Sequence, residues 1–243
     1  MRKKRWQMGR RISLLMAVLA LDGLLLGTTA GIIRYGGTYG TASPAHRIMP
    51  VSAASQTTED KVVALTFDDG PHETYTLELL NGLKKRDVKV TFFLMGQNIS
   101  GNEELVLRMQ KDGHLIGNHS YRHIQLTKAG EDNVCDAVEQ TEKIIENITG
   151  CRPKYLRPPY GDWNENLECR LDLTTVFWSV DSLDWKLQNT KQIVNQVEKK
   201  VGNGDIILMH DIFPESITAA LEIVDHLKAK GYQFVTVEEL LID

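Results

Sequence analysis

Five short stretches of this chain gather side chains that can move protons or hold a cation. Asp68 and Asp69 are adjacent, preceded by the apolar run Val62-Val63-Ala64-Leu65 and followed by Gly70-Pro71. Two carboxylates side by side in a half-buried place repel and desolvate each other, which a fold retains chiefly where a cation or a proton transfer uses them. His119 and His123 stand at i and i+4, a spacing that would put both imidazoles on one side of a helical turn. With Asp69 they make two imidazoles and one carboxylate, a set suited to zinc or another borderline divalent ion, with a position left for water. In Arg157-Pro158-Pro159-Tyr160-Gly161 two prolines set the backbone and lack N–H groups, so the Tyr160 N–H is left as a donor that could face a developing oxyanion. Asp181 and Asp184, three apart beside Trp185, could orient a cationic partner while the indole walls a pocket or stacks on a sugar face. His210, after Leu208-Met209, can serve as a general acid near neutral pH. Taken singly, each stretch also reads as ordinary structure: a solvated turn, a packed histidine, a structural ion pair of Arg157.

Their placement relative to the predicted elements gives them weight. The run from Val62 to Phe67 reads as a buried strand stopped at Gly70-Pro71, and strands then alternate with helices. The pattern predicts helices over Tyr75–Arg86, Glu103–Lys111, Glu131–Ile148, Lys191–Val201 and Ser216–Lys230. It predicts further strands over Lys89–Met95, His114–Gly117, Tyr155-Leu156, Thr174–Val180, Asp205–Met209 and Gln233–Val235. Some seven strands alternating with helices indicate parallel β-α units, satisfied equally by a barrel and by an open doubly wound sheet. In either, reactive groups belong on the loops after the C-terminal ends of strands, which is where all five stretches fall.

The 243 residues, 42% apolar and 25% charged, suit one soluble domain with an appendage. Six of the 28 basic residues lie in residues 1–11, which carry no acid, leaving 22 basic against 32 acidic residues elsewhere. So acidic a body is a poor partner for nucleic acid. After this basic flank, residues 12–33 form an apolar run long enough to span a bilayer of about 30 Å. The flank would stay in the cytoplasm, making residues 12–33 a single-pass signal anchor with the rest outside the cell, or a secreted protein if the weak site at Thr28-Thr29-Ala30 is cut. Asp22 within the run costs roughly 2.5–3.5 kcal/mol on insertion. Residues 34–60, rich in Gly, Ser, Thr, Ala and Pro, read as a flexible tether, and the folded domain is expected over 61–243. Cys135, Cys151 and Cys169 have no C-x-x-C spacing and indicate neither a cysteine zinc site nor a disulfide framework; one bridge, such as Cys151 with Cys169, is compatible with export.

Taken together and in order, T-F-D-D-G-P at Thr66–Pro71, H-S-x-x-H at His119–His123, R-P-P-Y at Arg157–Tyr160, D-x-x-D-W at Asp181–Trp185 and L-M-H at Leu208–His210 closely resemble the five motifs of the polysaccharide deacetylases, carbohydrate esterase family 4 with its NodB homology domain. The resemblance implies a distorted (β/α) barrel of about seven parallel strands, here preceded by the hydrophobic anchor helix. It implies a metal-dependent hydrolase removing acetyl groups from N-acetylglucosamine polymers, peptidoglycan or chitin-like, with acetyl xylan esterase as the alternative and an inactive carbohydrate-binding protein on the same fold as the rival. Carried over by position, Asp69, His119 and His123 hold a divalent metal ion, zinc foremost with cobalt or another ion as alternatives. Asp68 is the general base, His210 the general acid and Arg157 the holder of the base, while the Tyr160 N–H serves the oxyanion. One of Asp181 and Asp184 tunes His210, and Trp185, Leu208 and Pro159 border the substrate.

Overall fold

The strand at the centre of the fold is β1 (Lys61–Asp68), buried from Val63 to Asp68. A strand covered on both faces has no use for polar–apolar alternation, and V-V-A-L-T-F shows little. The structure, a computed structural model, describes residues 61–163 and 172–242. The basic flank, the anchor at 12–33, the tether at 34–60 and Cys169 lie outside the described residues. Among the described residues no helix is long and apolar enough to cross a membrane.

After β1 come α1 (Tyr75–Arg86), β2 (Thr91–Leu94), α2 (Gly96–Ile99), α3 (Glu103–Lys111), β3 (Leu115–Asn118), α4 (Glu131–Thr149) and β4 (Tyr155–Leu156). Then follow β5 (Thr174–Thr175), β6 (Val180–Asp181), α5 (Asp184–Leu187), α6 (Thr190–Glu198), β7 (Asp205–His210), α7 (Pro214–Ala229), β8 (Tyr232–Val235) and α8 (Val237–Ile242). The helix boundaries follow local chemistry. Lys84, Lys85 and Arg86 close α1 against its negative end, the Asn189 side chain accepts the Gln192 N–H to start α6, and Pro214 occupies the first turn of α7.

Every strand pairing is parallel, and the lateral order is β5-β4-β3-β2-β1-β7-β6, with β8 also on β1. That order is the chain order wrapped round a cylinder and opened between β5 and β6. A doubly wound sheet would instead reverse at a switch point, so the fold is a distorted (β/α) barrel. Along β1, Val63, Leu65 and Phe67 pack outward with Leu79, Leu80 and Leu83 of α1 and Ile223 and Val224 of α7. Ala64 packs inward with Phe93, Tyr155, Val176 and Val237, so Thr66 and Asp68 share the interior face.

One expectation fails here. The single strand predicted over Thr174–Val180 is two, β5 on β4 and β6 on β7, at opposite edges of the opening. The chain between them crosses the gap, and the carbonyls of Val176 and Phe177 turn inward to accept Arg157 Nε and Nη2 at 3.4 and 3.2 Å instead of continuing a ladder. The four-residue helices α2 and α5 went unpredicted because single turns carry no periodicity.

His114, just before β3, is 7% exposed, takes the Val90 N–H on Nδ1 at 3.2 Å and sets its ring edge-on to Phe92. Burial pulls its pKa down to about 4. The unfolded chain therefore takes up a proton, near pH 6.5, that the folded chain refuses. This histidine's contribution is complete above pH 6.5 and is lost as pH falls toward 4, by about 3 kcal/mol. In His114→Asn, which keeps an acceptor for Val90, urea-unfolding stability should fall less between pH 7 and 4.5 than in the parent. Parallel curves would contradict the assignment.

Candidate active site

Parallel register brings the polar strand ends to one level. Asp68 of β1 lies opposite His210 of β7, Asn118 of β3 opposite Leu156 of β4, and Asp181 of β6 opposite Leu208. The loops leaving these ends enclose a cavity of about 460 Å³ lined by Asp68, Asp69, His119, His123, Tyr160, Trp178, Asp181, Trp185, Leu208 and His210.

Asp68 faces the barrel interior, and its Oδ1 accepts Arg157 Nη1 at 2.8 Å. Arg157 is fully buried, with Nη1 also on Thr66 Oγ1 at 2.7 Å and its guanidinium 4.2 Å over the Phe93 ring. Its donors are thereby spent on acceptors that hold it still beneath the carboxylate, leaving Asp68 Oδ2 turned toward His119 Nε2 at 3.7 Å.

Asp69 Oδ1 stands 3.5 Å from His119 Nε2 and 3.6 Å from His123 Nε2. One ligand atom from each of the three lies within 4.8 Å of the others. Tetrahedral ligands at about 2.0–2.1 Å from zinc sit roughly 3.4 Å apart, so the spacing fits a cation. Three further observations support the fit. Asp69 Oδ1 is buried with no hydrogen-bond partner, a state that costs free energy unless something positive meets it. His119 Nδ1 lies 2.7 Å from the Arg157 carbonyl, which assigns the proton to Nδ1 and turns the Nε2 lone pair toward Asp69. Burial, reinforced by His119, pushes the His123 imidazole below its ordinary pKa, favouring the neutral form a cation requires.

The two histidines do not meet on a helical turn as their spacing predicts. They lie on an irregular loop in which Ser120 and His123 adopt left-handed backbone, with φ of 62° and 52°. Asn118 shapes it by accepting the Ser120 N–H at 2.7 Å on Oδ1, and α2 donates the Gly96 and Gln97 N–H groups to the Ser120 and Tyr121 carbonyls. Left-handed backbone is concentrated at the site. Among the described residues, seven non-glycine residues have positive φ; Asp69, Ser120, His123, Tyr160 and Leu183 belong to the loops of the site, and the other two, Asp87 and Gln188, end helices. Such conformations persist where the surroundings over-determine them, commonly at functional sites.

His210 faces the cavity from the other side. Of the two candidate aspartates, Asp184 is its partner: fully buried, it meets His210 Nδ1 at 2.8 Å, takes the His210 N–H at 2.7 Å, and is held by Ser216 Oγ of α7 at 2.7 Å. Burial works against a charged His210, but the hydrogen bond and charge of Asp184, with Asp68 and Asp69 beyond, outweigh it and raise its pKa to about 9. Burial likewise works against the Asp184 carboxylate, and its bonds with His210 prevail to keep its pKa low. Asp181 instead accepts the Leu183 N–H at 2.8 Å and borders the cavity.

Trp185, half exposed, and Leu208 line the cavity, while Pro159 is buried in the short 3₁₀ turn 159–161 and is absent from the wall. The Tyr160 ring stands edge-on to His123 at 4.4 Å. The sequence reading missed Trp178. Its ring lines the cavity and leaves no room for a side chain at Gly161, where a Cβ would lie 2.8 Å from Trp178 Cη2. The one available signal was its position three residues before Asp181.

The family model of the polysaccharide deacetylases matches residues 55–175. The chain is 41% identical over 200 residues to the peptidoglycan-N-acetylmuramic acid deacetylase PdaC of Bacillus subtilis (strain 168), covering 81% of this chain and 42% of that protein. It is 40% identical over 185 residues to a peptidoglycan-N-acetylglucosamine deacetylase of Bacillus cereus, covering 73% of this chain and 67% of the relative. The solved structure of B. subtilis PdaC superposes with a TM-score of 0.73 at 42% identity, over 75% of this chain and 90% of that one. This chain spans about two fifths of the full length of PdaC. With the motif residues converging on one cavity of a parallel barrel, the chain belongs to the polysaccharide deacetylase family.

Proposed function

We propose that the chain is a metal-dependent deacetylase that hydrolyses N-acetyl groups of N-acetylglucosamine-containing polymers, peptidoglycan foremost, and releases acetate. The observation that carries this reading is the placement of Asp68 and His210 at opposite positions of paired strands, flanking Asp69, His119 and His123. The names of the relatives support the polymer. A binder without turnover has no use for a carboxylate braced by a buried arginine and a histidine braced by a buried aspartate.

Asp69, His119 and His123 would hold the metal, and their two-nitrogen, one-oxygen set suits zinc. When bound there, a divalent ion supplies Lewis-acid polarisation of the acetyl carbonyl and lowers the pKa of water. The chain's own groups do the rest. Asp68, oriented by Arg157, accepts a proton from the attacking water. The Tyr160 N–H donates to the oxyanion, a contribution of about 3–4 kcal/mol in comparable sites. His210, kept protonated through its bond to Asp184, gives its proton to the departing nitrogen as the C–N bond breaks. Water has then added across that bond, and free amino sugar and acetate leave. Trp185, Trp178 and Leu208 wall the acetyl group. Residues 12–33 tether the domain to the outer face of the cell membrane, a reading that rests on the basic flank and the apolar run alone.

Metal-stripped protein restored with Zn²⁺ or Co²⁺ should release acetate from N-acetylglucosamine oligomers and peptidoglycan more readily than from O-acetylated xylan. Preference for xylan would make it an esterase, and no acetate with any metal would overturn the reading. Asp68→Asn should lower turnover by at least about 100-fold, the usual span of a general base, while metal binding persists; unchanged turnover would remove Asp68 from that role. Because His210 must carry its proton and its pKa lies near 9, activity should hold through neutral pH and fall as pH rises through about 9. In Asp184→Asn only Asp68 and Asp69 are left to oppose burial, and that alkaline limb should move down by more than one pH unit. A pH–rate profile with the limb in place would sink the pairing.

A further inference from the structure

Neighbouring residues of a strand point to opposite faces, so Asp68 and Asp69 can serve one cavity only if the chain leaves the extended conformation between them. Continued as strand, Asp69 would follow Val63, Leu65 and Phe67 outward into the helical layer. It does not. Asp69 takes φ of 72°, a left-handed backbone that an L-residue adopts reluctantly, and this one rotation returns its carboxylate to the side of Asp68. Gly70 cannot carry the constraint by bulk, because a Cβ there would collide with the buried Asp211 carboxylate.

What holds the turn comes from α2. Asn98 Nδ2 donates to the Asp69 carbonyl at 2.7 Å, and the Met95 N–H, one residue before α2, donates to the Gly70 carbonyl at 3.0 Å. The Asn98 side chain is the one side-chain donor given to the Asp69 main chain among the described residues. Asn98 also bonds through its main chain: its N–H reaches the Met95 carbonyl at 3.0 Å, and its carbonyl accepts Asn102 Nδ2 at 3.0 Å.

We propose that Asn98 is a positioning residue of the metal site, clamping the Asp69 carbonyl so that the left-handed turn, and with it the ligand carboxylate facing His119 and His123, is set before any ion arrives. This rests on the reading of Asp69, His119 and His123 as metal ligands. Partners one step removed from a metal typically account for 10- to 100-fold in its affinity. Loss of the Asn98 carboxamide frees Asp69 to relax toward extended backbone, and the ion must then restore the turn out of its own binding energy.

The test uses the full chain, stripped of metal, with Zn²⁺ affinity measured by competition against a chromophoric chelator and melting temperature measured in parallel. Asn98→Ala should weaken Zn²⁺ binding about 10- to 100-fold. Asn98→Ser, polar but too short to reach the carbonyl, should do the same and guards against a misfolded alanine variant. Asn102→Ala, which removes the neighbouring bond on the same turn without touching Asp69, should lower the melting temperature yet leave Zn²⁺ affinity within about twofold. Native affinity in both Asn98 variants, or an equal loss in Asn102→Ala, would overturn the proposal. Absence of Zn²⁺ binding by the parent chain would instead overturn the metal reading beneath it.

Discussion

Everything at the reactive end of this barrel leans on a charge that has no access to water. Arg157 is completely buried, and a guanidinium in that position is tolerable only when its donors are answered. They are answered by Asp68, by Thr66, by the Val176 and Phe177 carbonyls and by the face of Phe93. Replacing such a pair by packed apolar side chains is often neutral or even stabilising by about 1–4 kcal/mol, so its presence is poorly explained as a device for stability. It is well explained as a fixed counter-charge under a carboxylate that must face a cavity. The same residue presents its carbonyl to His119, so one position orients Asp68 through its side chain and His119 through its main chain.

The barrel's irregularity serves that demand. The four residues between β5 and β6 cross the opening, and two of their carbonyls, those of Val176 and Phe177, point at the guanidinium. The chain across the opening thus supplies backbone acceptors to a buried cation. On the opposite flank the arrangement is mirrored in sign: a buried carboxylate, Asp184, braces the cationic form of His210 and is in turn pinned by Ser216 of α7. Asp68 and His210 are thus each backed by an opposite charge inside the protein, in the cavity they share with Asp69, His119 and His123.

How much of this could be read beforehand depended on the distance over which each feature is specified. The helices over Tyr75–Arg86 and Glu103–Lys111 were legible because their apolar spacing and end charges are local. The site residues were legible because polar clusters at strand ends are anomalous against apolar runs. The i, i+4 histidines misled in geometry though not in membership: the imidazoles converge through left-handed backbone imposed by Asn118 and α2, contacts that lie outside the motif. Trp178 and Asn98 escaped notice because neither residue type is reactive, and each matters only through what it touches.

The sequence by itself determined the chemistry on offer: which carboxylates, imidazoles and backbone donors stand at strand ends, and that parallel β-α units carry them, since residue type and short-range periodicity are properties of the chain alone. Tertiary structure decided the rest. It chose the barrel over the open sheet, Asp184 over Asp181 as partner of His210, two short strands over one, and the turn that brings Asp69 back beside Asp68. Each of those choices is made by burial and by pairings between residues far apart in the chain, for which no local pattern carries a signal.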